Sequence, residues 1–225
     1  MSNLVGLNVG LSDSLSAKTR RYADYYRQLA NGTLTEVYDD ETVTLSSCFY
    51  RSKIEKAVFS KCTTIANYGG FYLCSHLFSV DFPELKKIGV YSFSGTSKLT
   101  NILFPKVTDV LNLSFENSGV ETVDLPSCTT IYYAAFNSCA KLKEIKIPIC
   151  GNIGQKCFYN SKSIEKIFLY GVTTVPTLGT NALTGTPETI KIIVPDALVD
   201  SFKAETNWSA YADKIVGISE YNAAT

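Results

Sequence analysis

Seven cysteines, one histidine and one acidic run are the residues of this 225-residue chain whose types could support metal or nucleophilic chemistry. A metal site or a Ser/His/Asp triad would have to be assembled around His76, because the chain has no second histidine. No Gly-x-Ser-x-Gly elbow, Walker loop or Gly-x-Gly-x-x-Gly fingerprint accompanies it. The run Asp39-Asp40-Glu41 offers oxygen ligands of the kind Ca²⁺ takes, but it sits in a polar connection and reads as a solvated turn. The cysteines are odd in number and include no Cys-x-x-Cys pair, which argues against a disulfide framework. No cofactor and no metal are expected, and the chain does not read as an enzyme.

Charge removes further classes. Lys+Arg and Asp+Glu both total 21, and no dense Lys/Arg run restores a local excess, so no nucleic-acid partner is expected. No apolar run approaches the roughly 20 residues of a membrane-spanning helix, so no membrane insertion is expected either. The opening residues MSNLVGLNVGLSDSLSAK do not read as a signal peptide. They lack basic residues before an apolar block, and Gly6, Asn8 and Gly10 interrupt that block.

The positions of the cysteines explain them better than their chemistry does. Cys74 and Cys139 each stand three residues after a Phe, where other copies of the same pattern carry Ser52, Thr96, Ser118 and Ser161. Cys48 and Cys157 directly precede a Phe, where others carry Gly70, Ser92, Ser114 and Ala135. Cys128 and Cys150 follow a Pro by two, beside Leu85 and Val107, and Cys62 lies just after the position corresponding to Pro. These columns are expected to hold small apolar groups, a role that a buried free thiol fills. Cys128 and Cys150 fall in one column of adjacent copies, so a disulfide between them is sterically conceivable.

The anchor of the pattern is Phe49, Phe71, Phe93, Phe115, Phe136 and Phe158, at intervals of 22, 22, 22, 21 and 22 residues. A second column holds Ile54, Leu77, Leu99, Val120, Leu142 and Ile164; a third holds Val43, Ile65, Ile88, Val110, Ile131 and Ile153. Pro83, Pro105, Pro126 and Pro148 close four copies, with Lys61 and Tyr170 in the outer two. A period in this range marks a solenoid in which each repeat is one coil that cannot bury its apolar face alone. Within LKEIKIP, Leu142, Ile145 and Ile147 face inward and Glu144 and Lys146 outward, which describes a short strand with one buried face. Coils about 4.8 Å apart place equivalent Phe rings in a ladder.

The stretch IYYAAFNSCAKLKEIKIP matches, almost position for position, the repeat of BspA-like leucine-rich repeat proteins, and the resemblance covers roughly Val43 to Tyr170. The ending IKIIVPDALVDSFKAETNWSAYADKI also resembles that family's usual terminus. The fold expected is therefore a β-rich, right-handed leucine-rich-repeat solenoid of about six to seven coils with short helical caps at both ends. Residues 1–42 are expected to form an N-terminal helical cap, 43–171 six repeats, and 172–225 a degenerate last repeat and C-terminal cap. The helical spacing over Ser14–Ala30 allows capping, or pairing with copies of itself as a route to a homo-oligomer.

The resemblance implies non-catalytic recognition of a protein or glycan ligand, as in a bacterial adhesin at the cell surface or in a secreted form. A prophage-encoded tail or receptor-binding subunit, or a cytoplasmic scaffold, is the alternative. Two sets of residues are candidates for the contact. The outward strand positions read Val58, Asp81, Leu103, Asp124, Lys146 and Phe168. Beside the Phe ladder lie Tyr91, Tyr132 and Tyr133, with Tyr50, Tyr68, Tyr72 and Tyr159 nearby in the pattern. Tyrosine gives broad contact area with a polar tip at low entropic cost, which suits recognition. Phe168 and Lys146 are expected to matter for binding and not for stability.

Overall fold

The structure, a computed structural model, describes residues 27–46 and 49–224. The segment Ser14–Ala30 falls mostly outside the described residues, and Cys48 does too; within that segment only residues 27–30 are seen, as one helical turn. The rest is a parallel β-solenoid of about eight turns.

Each turn contributes one strand to each of two faces. The long face is built from β1 (Glu36–Asp39), β3 (Lys56–Phe59), β5 (Ser79–Asp81), β7 (Asn101–Leu103), β9 (Thr122–Asp124), β11 (Glu144–Lys146), β13 (Lys166–Phe168), β15 (Lys191–Val194) and β16 (Ile215–Gly217). The short face is built from the two-residue strands β2 (Thr44–Leu45), β4 (Thr64–Ile65), β6 (Lys87–Ile88), β8 (Asp109–Val110), β10 (Thr130–Ile131), β12 (Asn152–Ile153) and β14 (Thr177–Leu178). A bent segment carrying the Phe ladder closes each coil. Strands pair on both sides of the 43–171 range expected for the repeats, because β1 and β15 extend the stack in register.

The ladder is as the period predicts. Phe49, Phe71, Phe93, Phe115, Phe136 and Phe158 stack in sequence with centroids 5.3, 5.5, 5.1, 5.0 and 5.8 Å apart. Two outer positions are corrected. Leu45, not Val43, pairs with Ile65 and is buried, whereas Val43 is 54% exposed. Ser60, not Lys61, is the counterpart of Pro83, since Val58 pairs with Asp81. That register moves Cys62 into the column of Leu85, Val107, Cys128 and Cys150. Each of these five donates its N–H to the carbonyl three residues earlier.

The column three residues after each Phe is also corrected. It does not select for small apolar groups; it selects for a small donor. Cys74, Cys139 and Ser161 donate to the carbonyls of Phe49, Phe115 and Phe136 respectively, while Thr96 and Thr186 bond within their own coils. Every copy of the column carries a hydroxyl or a thiol, a signal present in the sequence. Ser161→Ala is expected to leave the Phe136 carbonyl short of a donor in the core and to lower stability by about 1–3 kcal/mol. Cys139→Ser keeps a donor and should stay within about 1 kcal/mol of the parent in the same urea titration.

The long face is interrupted once. No hydrogen bond crosses from β5 to β7, although the short face stays continuous through the same coils. In the equivalent column Lys56, Ser79, Thr122, Glu144, Lys166 and Lys191 all donate to the preceding coil, and Asn101 does not. The rings below change arrangement at this step: Phe59 and Phe82 stack at 5.2 Å, but Phe82 and Phe104 meet edge-on at 6.3 Å. Hydrogen exchange should find the Asn101 amide faster than those of Thr122 and Glu144; equal protection would show that the face is closed in solution.

At the far end, the helix Val199–Ala204 and the 3-10 segment Ser209–Lys214 seal the stack. Trp208 is fully buried, donates its Nε1–H to the Pro176 carbonyl at 2.7 Å, and meets Phe202 edge-on at 5.1 Å. Asn207 donates to the Leu178 carbonyl at 2.7 Å. These two side chains occupy carbonyls of the last short-face coil that no further coil can reach.

Candidate functional surface

The bent side of each coil is set by two left-handed residues. One column runs Tyr68, Tyr91, Leu113, Ala134, Lys156 and Asn181; the other runs Arg51, Leu73, Gly95, Asn117, Ser138, Asn160 and Gly185. For residues with a Cβ this conformation costs about 1–2 kcal/mol each. Bonds between coils offset it: the Tyr68 N–H donates to Val90, Phe71 to Ser92, Leu73 to Ser94, Phe93 to Ser114 and Leu113 to Tyr133. The backbone on this side is thereby used up between coils.

The left-handed turns aim tyrosines at one another. Tyr50 and Tyr72 stack with centroids 5.3 Å apart, Tyr72 and Tyr91 lie 5.2 Å apart, and Tyr91 and Tyr68 lie 5.5 Å apart. In the third coil Ser94 stands where Tyr50 and Tyr72 stand in theirs, and the ring of Tyr91 packs against Tyr72 from the adjacent turn. Arg51 sits over Tyr50 at 5.1 Å. Desolvation pushes the Tyr91 phenol above its ordinary value, with Glu116 and the phenols of Tyr72, Tyr68 and Tyr133 adding to it, so Tyr91 stays neutral. Tyr132 and Tyr133 continue the exposed aromatic surface on the fifth ladder coil. Repeat spacing pairs Tyr50 with Tyr72 and Tyr68 with Tyr91. It does not reveal the contact between the pairs, which depends on the turn conformation.

The strand-face candidates form a separate surface. They fall in two in-register runs on either side of the break in the long face, Tyr38, Val58 and Asp81 in one and Leu103, Asp124, Lys146, Phe168 and Ile193 in the other. Asp81 and Leu103 are exposed, Val58 and Asp124 half-buried. Val58 lines a shallow open depression with Tyr38, Asp39, Asp40 and Ser60. The C-terminal part of the column is engaged by the protein itself. Lys146 pairs with Glu144 at 3.2 Å and lies 5.9 Å above the Phe168 ring. Phe168 meets Tyr170 and Tyr221 edge-on at 6.2 and 5.7 Å, so it is half-buried under the C-terminal helix Ile218–Ala223. The expectation that Phe168 is irrelevant to stability is corrected by that contact. Phe78, 52% exposed on the same face, was not among the expected residues.

The other candidates for chemistry resolve into structure. The Asp39 carboxylate accepts from the backbone N–H groups of Glu41 and Thr42 and from the Thr42 hydroxyl, closing the turn. His76 pairs with its neighbour Ser75 at 3.4 Å. The six cysteines among the described residues are buried free thiols. Burial pushes the Cys139 thiol up to about 12, raises Cys62 and Cys74, and holds Cys157 well above its ordinary value. A hydrogen bond with Cys150, with burial adding to it, raises Cys128. Among the described residues no group of three or more His, Cys, Asp or Glu side chains is placed to hold a metal, and no helix is long and apolar enough to cross a membrane.

Similarity to known proteins follows the coils. The family model described as the BspA type leucine-rich repeat region matches in six copies, over residues 33–121 and 65–189. A crystal structure of a leucine-rich repeat protein from Bacteroides ovatus is similar at 22% identity and a TM-score of 0.48. The match covers 74% of this chain and 52% of that one, so the chain spans about half of that protein's length. No curated protein matches. With six copies of the repeat spread over most of the solenoid, the chain belongs to the BspA type leucine-rich repeat family.

Proposed function

We infer that this protein is a non-catalytic recognition module, of the bacterial adhesin type, that works at the cell surface or as a secreted form and binds a protein or glycan through its solenoid surface. The observation that carries this reading is the group of tyrosines on the bent side, held in contact by turns that are individually unfavourable. Exposed tyrosines scattered singly would need no explanation; rings gathered across several coils do. The exposed positions of the long face, Asp81 and Leu103 above all, form a secondary surface.

The test is binding of labelled full-length protein to immobilised host matrix proteins, mucin and intact bacterial cells at two salt concentrations. Saturable binding to matrix or mucin that Tyr72→Ala or Tyr91→Ala weakens supports the adhesin reading. Binding to bacterial cells alone would shift it to a phage-type receptor binder. Absence of binding to all three would overturn it.

A further inference from the structure

We propose that the cluster Tyr50, Tyr72, Tyr91 and Tyr68, with Tyr133 and Tyr132 two coils further along, is a binding site for a neutral, extended polysaccharide chain. This rests on the recognition reading above and names its ligand class.

The bent face excludes the main alternatives in turn. A peptide that binds by strand addition needs an open row of backbone donors and acceptors. Here the N–H groups of Tyr68, Phe71, Leu73, Phe93 and Leu113 all bond to the next coil, so the strip has no free edge. A ligand read by charge, such as an acidic glycan or a phosphopeptide, needs clustered cations. Arg51 stands at one end of the row, and Glu116, which accepts from the Asn137 amide at 2.9 Å, flanks Tyr91. The two charges are opposite and apart, and no cluster of cations lies between them.

What remains matches a sugar chain. Tyr50 lies on the first ladder coil, Tyr72 and Tyr68 on the second, Tyr91 on the third and Tyr132 and Tyr133 on the fifth, a span of roughly 19 Å at about 4.8 Å per coil. From Tyr50 through Tyr72 to Tyr91 the rings stand 5.3 and 5.2 Å apart, close to the repeat of consecutive pyranose rings in an extended chain, and Tyr68 lies 5.5 Å beside Tyr91. The Tyr68 ring, packed on one side only, offers an apolar surface to the C–H groups of a sugar, and the other rings offer their exposed edges and hydroxyls. The rings are already held by one another, so little side-chain freedom is lost on binding. Tyr68 is 61% exposed and Tyr50 50%, leaving contact area at both ends of the stacked group.

Affinity electrophoresis of the full chain tests this, with yeast mannan, xyloglucan, galactomannan and a mixed-linkage β-glucan as neutral probes and heparin and polygalacturonate as anionic ones. At least one neutral polysaccharide should retard the protein, with little dependence on salt. Tyr72→Ala and Tyr91→Ala should each weaken that binding about tenfold, as for a central contact residue. Tyr91→Phe should lose less, because the ring remains. Circular dichroism of each variant separates loss of binding from loss of fold. Retardation by the anionic probes alone, abolished by salt, overturns the proposal, and so does neutral binding that survives both alanine variants. If no polysaccharide binds but matrix protein does, and the tyrosine variants weaken that binding, the glycan assignment fails while the recognition reading stands. If neither binds, both fail.

Discussion

Phe136→Ala should lower the unfolding free energy by about 3–5 kcal/mol, and Phe115→Ala by a similar amount. Both rings are fully buried and stacked on each side, Phe115 on Phe136 at 5.0 Å with the planes 1° apart. The loss includes the transfer of the ring and the cavity it leaves. That cavity cannot collapse, because hydrogen bonds from the Phe115 N–H to the Ala135 carbonyl and from the Phe136 N–H to the Cys157 carbonyl fix the spacing of the coils. A solenoid adds a second consequence. Its stability is close to a sum of coil and interface contributions, so a gap in the middle can uncouple the two halves. Urea unfolding followed by circular dichroism should show a lower midpoint and a broader or split transition. Tyr132→Ala, at an exposed position, should stay within about 0.5 kcal/mol. A ladder variant that cost under 1 kcal/mol would show that the backbone bonds alone hold the coils together.

Trp208→Ala should be as severe, about 3–5 kcal/mol, for a different reason. The indole fills the end of the core against Phe202 and donates to the Pro176 carbonyl. Its removal opens the last coil, whose carbonyls and apolar interior then face water and other molecules. Loss of stability should come with concentration-dependent association in light scattering. Trp208→Phe separates the two roles: the ring is largely kept and the donor is lost, so about 1–3 kcal/mol is expected, without association. If Trp208→Ala matched the parent in both stability and association state, the helix Val199–Ala204 would have to be sealing the end without it.

The solenoid and its ladder were legible in the amino-acid sequence. A side chain stacked between identical neighbours is constrained by the coil length, so Phe recurs at 21 or 22 residues. Inward and outward alternation on the long face was legible for the same reason, and Val58 with Asp81, and Leu103 through Phe168, pair in register within their two sheets. The donor column of Ser, Thr and Cys was equally visible, but its shared hydroxyl or thiol was read as smallness. Coil corners were not legible. Eleven residues separate Phe71 from Phe82 but ten separate Phe49 from Phe59. A loop absorbs such a difference without trace, and the count that placed Lys61 slipped there; Val43 slipped before the ladder, where Leu45 lies four residues from Phe49 but Ile65 six from Phe71.

Only the tertiary structure decided which surface gathers contacts. The left-handed turns that bring Tyr91 against Tyr72 are a conformation that no single residue type announces when glycine is absent. The C-terminal helix that half-covers Phe168 with Tyr221 approaches it from more than fifty residues away in the chain. The sequence by itself determined the repeating interior, because burial and coil spacing constrain each column separately. The tertiary structure decided the exterior, because there the neighbour of a side chain depends on how turns and caps fold over the stack.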